Sequence, residues 1–101
     1  GEGVHFTRRP DKRGLALQVK QASLNLGAAR KRVNITEKAQ AEAEENHHIM
    51  KNSYEVGLAS NLDYLDAQNA RTQASWNFID ARYDYLLAKS ELARAMGVLG
   101  R

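Results

Sequence analysis

The 101-residue chain has no cysteine, which excludes a disulfide-stapled scaffold, a zinc ribbon and a thiol nucleophile. Its one proline is Pro10, so nothing after that point forbids a helix interior. No apolar run approaches the roughly 18 residues that a membrane-crossing helix needs. Charge of one sign is also scarce: 15 Lys and Arg stand against 12 Asp and Glu, a formal net of +3. A hydrophobic share of 43% is nevertheless too high for a disordered tail, so the chain is one domain or a piece of one. It begins at Gly1 without a charged-then-apolar leader and reads as a segment of a longer protein, with any signal peptide lying outside it.

Charge is unevenly spread. Arg8, Arg9, Lys12, Arg13, Lys20, Arg30, Lys31 and Arg32 load the first third. Beyond Glu37 the balance turns acidic, with Glu42, Glu44, Glu45, Glu55, Asp63 and Asp66 against Lys38 and Lys51. Phosphate contacts from cations give affinity without selectivity, and these cations have no aromatic or base-reading groups among them. Solvated helix faces explain them, and no nucleic-acid partner is expected.

The hydrophobic period supplies the architecture. Alternating steps of four and three from Leu15 run through Val19, Ala22, Leu26, Ala29, Val33, Thr36, Gln40, Ala43, His47 and Met50 to Tyr54. That is a heptad seam on one long helix. The same stepping from Leu58 meets Leu62, Leu65, Asn69, Thr72, Trp76, Ile79, Tyr83, Leu86, Ser90, Ala93 and Gly97, on a second helix. The expected fold is all-α, a long antiparallel helical hairpin over 11–101 after a flexible start at 1–10. At 1.5 Å per residue each arm is roughly 55 to 65 Å long.

The turn falls at about 57–60. Gly57 suits the left-handed position just past a helix end. Ser60 then caps the next helix, and Asp63, three residues on, completes a serine-x-x-acid box in the positive field of the helix start. Elsewhere Pro10 is a plausible first-turn residue, Gly14 a weak point, and Gly97 and Gly100 are expected to fray the second helix.

The second helix carries another seam, displaced by two residues: Tyr64, Ala67, Arg71, Ala74, Phe78, Ala81, Tyr85, Ala88, Leu92, Ala95 and Leu99. Two residues are about 200° of rotation, so the helix has packing faces on nearly opposite sides. Alanine recurs at every seventh position of this seam and lets a neighbouring backbone approach closely. A lone hairpin covers one face only, and the alanine-lined seam is the one expected to await a neighbour. The first helix echoes this weakly in Ala28, Ile35, Ile49 and Val56. A closed ring of helices and a dimeric four-helix bundle both satisfy the pattern.

Candidate chemistry is sparse. Glu45-x-x-His48 has the spacing of a carboxylate-bridged di-metal helix, but such a site needs a second copy and two further glutamates. No serine stands in a nucleophile turn, and no Ser-His-acid arrangement is supported. No enzymatic activity, metal site or cofactor is expected. Trp76, Phe78, Tyr83 and Tyr85 all fall on seam positions and read as packing groups.

The stretch from Tyr54 through Gly57, Ser60 and Asp63 to Leu65-Asp66-Ala67-Gln68 resembles the Y-x-x-G-x-x-S-x-x-D-x-L-D-A-Q segment of the outer membrane efflux protein family, the TolC-like outer membrane factors. The likeness continues through Ala74, Ala81-Arg82-Tyr83-Asp84-Tyr85-Leu86 and Leu92 to Ala95-Met96-Gly97, and upstream through Ala43-Glu44-Glu45-Asn46. The resemblance implies a homotrimer with a β-barrel in the outer membrane and an α-helical tunnel in the periplasm. This chain would be the last coiled-coil hairpin of the tunnel wall. Its tip would meet a periplasmic adaptor, or membrane fusion protein, and through it an inner-membrane pump or a type I secretion system. The rival from another class is an autonomous coiled-coil module such as an adaptor hairpin or a structural bundle.

Particular residues follow from that likeness. Val56, Gly57, Leu58 and Ala59, small or apolar at the point of reversal, are the expected adaptor contact. Asp63 and Asp66, three apart on the first turn, match positions that in the family are often acidic entrance residues, although capping alone would also account for Asp63. Tyr54 matches a tip tyrosine that in some members helps hold the entrance shut. Some members carry a basic residue where this chain has Ala59.

Overall fold

The computed structural model describes residues 12–99, with side chains over 13–98. Two helices account for nearly all of it: α1, Lys12–Glu55, of 44 residues, and α2, Asn61–Leu99, of 39. Only 56–60 separate them, and among the described residues there is no strand. The expectations for the start at 1–10, for Pro10 and for Gly100 lie outside the described residues. Gly14 and Gly97 both sit within helix, so the fraying expected at Gly97 is not seen. A single glycine weakens a helix by about 1 kcal/mol relative to alanine and does not by itself end one.

The two helices fold back on each other along their whole length. The result measures 73 × 27 × 13 Å with a radius of gyration of 22.1 Å, whereas a globular domain of this length has about 13 Å. A rod two helices wide has one line of internal contact. Accordingly the buried apolar residues among those described are Ala22, Ala67 and Ala81, all small, joined by His47. Larger seam residues straddle the line and are only half covered.

On α1 the internal face is the seam read from the sequence as far as Met50: Leu15, Val19, Leu26, Ala29, Val33, Thr36, Gln40, Ala43 and Met50 are half-buried, and Ala22 and His47 buried. Tyr54, expected to end the seam, is instead exposed, and Ser53 is half-buried in its stead as the chain begins to turn. On α2 the expectation is reversed. The covered face is the alanine-lined seam, with Ala67 and Ala81 buried and Tyr64, Arg71, Ala74, Phe78, Tyr85, Ala88, Leu92 and Ala95 half-buried. The bare face carries Leu62, Leu65, Trp76, Ile79, Tyr83 and Leu86, each more than two-fifths exposed. Small side chains permit the closest approach of two backbones, and here the helix making it is the one tied on by a five-residue turn. Phe78 and Tyr85 are therefore packing groups inside the hairpin, while Trp76 and Tyr83 are not.

Polar groups fix the register between the arms. Arg32 Nη1 donates to Asp84 Oδ2 at 2.6 Å, Gln40 Nε2 to Ser75 Oγ at 3.1 Å, and Arg71 Nε lies 3.8 Å from Glu44 Oε1. Both ion pairs are partly solvated and worth at most about 1 kcal/mol each. Their use is to oppose a slip of one helix past the other.

Candidate functional site

The tip is built by two interlocking caps. Gly57 holds φ at +81°, the only positive φ among the described residues, and a Cβ there would meet nothing within 4 Å. Conformation, not space, is therefore what calls for glycine. The Gly57 N–H donates to the Tyr54 carbonyl at 3.1 Å and the Leu58 N–H to the Ser53 carbonyl at 2.7 Å, the paired bonds of a Schellman close. Across the turn the Asp63 N–H donates to Ser60 Oγ at 3.1 Å while the Ser60 N–H donates to Asp63 Oδ2 at 3.2 Å. This is the reciprocal box expected from the spacing, and each bond satisfies an amide that the start of a helix leaves without a partner.

The caps leave the reversal rigid and bare. Val56 is 69% exposed and Leu58 84%, although an apolar residue just past a Schellman close commonly folds back onto the helix. Ala59 is half-buried. Tyr54 is 41% exposed and stacks on Tyr64 of α2, with ring centroids 5.3 Å apart and planes 18° from parallel. Tyr64 in turn lies 5.6 Å from the His47 ring.

Asp63 and Asp66 are both exposed and line one shallow cleft with Asn46 and Met50 of α1 and Ala67 and Ala70 of α2. The three-residue spacing thus brings their carboxylates to one side, while one oxygen of Asp63 is engaged in the cap. Glu45 and His48 are not drawn into a cluster: His48 Nε2 lies 3.4 Å from Asn52 Nδ2, and among the described residues no three metal-ligating side chains converge.

Some contacts escaped the sequence reading. His47 Nδ1 lies 3.3 Å from Arg71 Nη1, and neither this pair nor Arg32 with Asp84 was foreseen. The signal was present in the turn. Once the reversal is centred between Gly57 and Ser60, counting outward along both arms sets Arg71 opposite His47 and Asp84 opposite Arg32.

The fold and tip define a class: a rod-like helical hairpin with a capped apolar end and large apolar side chains bare along the outer face of its second helix. Comparison with known proteins gives that class a family. The family described as "Outer membrane efflux protein" matches residues 5–98, and the chain belongs to it. It is 28% identical over 87 residues to the outer membrane protein TolC of Escherichia coli (strain K12), a match covering 86% of this chain and 18% of that protein. The chain thus spans less than a fifth of that relative's length. No solved structure matches.

Proposed function

We propose that this chain is a periplasmic wall hairpin of an outer membrane channel, a passive conduit that assembles as a homotrimer and docks a periplasmic adaptor at its tip. The observation that carries the reading is the bare face of α2, running from Leu62 to Leu86 on the side opposite the covered seam. Monomeric surfaces rarely leave contiguous apolar stripes uncovered, and a helix flanked on both sides is what a closed wall of helices requires. Family membership supports the same assignment.

At the tip, Val56, Gly57, Leu58 and Ala59 meet the adaptor. These residues bury without leaving a charge unpaired, and the caps behind them hold the turn in one shape before contact, so little conformational entropy is lost on docking. Tyr54, Asp63 and Asp66 line the entrance. Three copies of each aspartate about one axis form rings of carboxylates that attract cations and repel anions at the mouth.

Leu58→Asp tests the docking with little disturbance of the hairpin, because the Leu58 side chain is 84% exposed. In the full-length protein it should abolish cross-linking to the adaptor and with it efflux, and Gly57→Trp should do the same while also straining the turn. Unchanged efflux in Leu58→Asp overturns the docking site. For the entrance, Asp63→Asn with Asp66→Asn should remove cation preference in a planar bilayer, whereas Ser60→Ala, which disturbs the cap alone, should keep it. Equal selectivity in the double variant and the parent overturns the entrance assignment.

A further inference from the structure

His47 is the one buried polar residue among the described side chains, at 9% exposure, and its hydrogen bonding is half complete. Arg71 has only donors to offer, so the 3.3 Å contact between Arg71 Nη1 and His47 Nδ1 requires a lone pair on Nδ1. The ring proton then sits on Nε2, which is buried and has no hydrogen-bond partner among the described residues. The neutral imidazole is thus held by one bond, with its other nitrogen buried between the helices.

A proton arriving on Nδ1 changes both the bond and the charge. Donor would face donor at the Arg71 contact, and an imidazolium would lie against a guanidinium inside the seam. The groups around it are few. From α2 come Arg71 and the Tyr64 ring; on α1, Glu44 lies one turn before and Lys51 one turn after. Glu44 is already 3.8 Å from Arg71 Nε, and the α2 carboxylates of this region, Asp63 and Asp66, lie in the exposed cleft with Asn46 and Met50. The His47 ring lies against Tyr64, centroids 5.6 Å apart, and Tyr64 stacks on Tyr54 at the tip.

We propose that His47 is a positioning residue that makes the tip sensitive to protons: its neutral form seats Tyr64 and so Tyr54, and its charged form parts α1 from α2 at the Arg71 layer and frees Tyr54. The chain of contact is continuous, from Arg71 through His47 and Tyr64 to Tyr54, and it joins the buried seam to the last turn before the reversal. Only the consequence for passage rests on the reading of the tip as an entrance. The conformational claim does not.

The test is hydrogen–deuterium exchange on the full-length, membrane-reconstituted protein at about pH 8 and about pH 5, bracketing the range in which histidine changes charge, with rates corrected for the intrinsic pH dependence of exchange. Peptides spanning 50–66 should lose protection on acidification. His47→Leu should abolish that loss, His48→Gln should retain it, and His47→Arg should show it already at pH 8. A tip whose protection is the same at both pH values, or an acid response equally present in His47→Leu, overturns the proposal. Because exchange is read without reference to conduction or docking, failure here is distinct from failure of the channel reading, which Leu58→Asp tests separately.

Discussion

The two faces of α2 use the same seven-residue period for opposite purposes. The covered face alternates Ala67, Ala74, Ala81, Ala88 and Ala95 with larger groups, while the bare face carries Leu62, Leu65, Trp76, Ile79, Tyr83 and Leu86. Apolar content alone would assign the larger side chains to the hairpin's own interior. Geometry assigns them outward, because two helices tied by a short turn pack closest where side chains are smallest, and the bulk left over is what a more distant neighbour needs to fill a wider gap. Strength of hydrophobic signal and priority of contact are therefore separate properties of a helix face.

That contrast breaks first at the alanines. Ala81 has no exposed surface, and Ala81→Leu should cost the hairpin about 1–3 kcal/mol through overpacking, read as a lowered midpoint in denaturant. On the opposite face Trp76→Ala should change hairpin stability by no more than about 0.5 kcal/mol, yet weaken trimer assembly of the full-length protein. Equal effects of the two on the hairpin midpoint would erase the distinction between the faces. Gly57→Ala forces a side chain into the left-handed region and should cost about 1–2 kcal/mol, although space for the methyl is free. Ser60→Ala removes half of the capping box and should cost about 1 kcal/mol, measured by thermal unfolding. A small and salt-dependent effect belongs to Arg32→Ala, at most about 1 kcal/mol and falling at high salt, since its bond to Asp84 is solvated.

The sequence was most legible where the cause is local. The four-three period placed the seam of α1 from Leu15 to Met50, failing only at Tyr54, and the Gly57 and Ser60–Asp63 chemistry located the turn, because caps depend on neighbours within a few positions. The pairing of faces on α2 was not legible, since two seams of similar strength offer no local reason to prefer one. His47 with Arg71 escaped for a related reason. Each stood in a seam by itself, but their contact exists only after the second seam of α2 is turned toward α1. The roles proposed for Val56, Leu58 and Asp66 depend on a partner or a symmetry axis, and those are properties of an assembly and not of one hairpin.

The central claim, that the bare face of α2 is covered by neighbouring helices in the assembled protein, is tested most directly by labelling. This chain has no cysteine, so Ile79→Cys can be followed in the full-length protein once any cysteines elsewhere are removed. A bulky, membrane-impermeant maleimide should label that position slowly in the assembled trimer and rapidly after the trimer is dissociated. Labelling that is equally fast in both states would show the face to be open to water, and would contradict the placement of this hairpin in a closed wall.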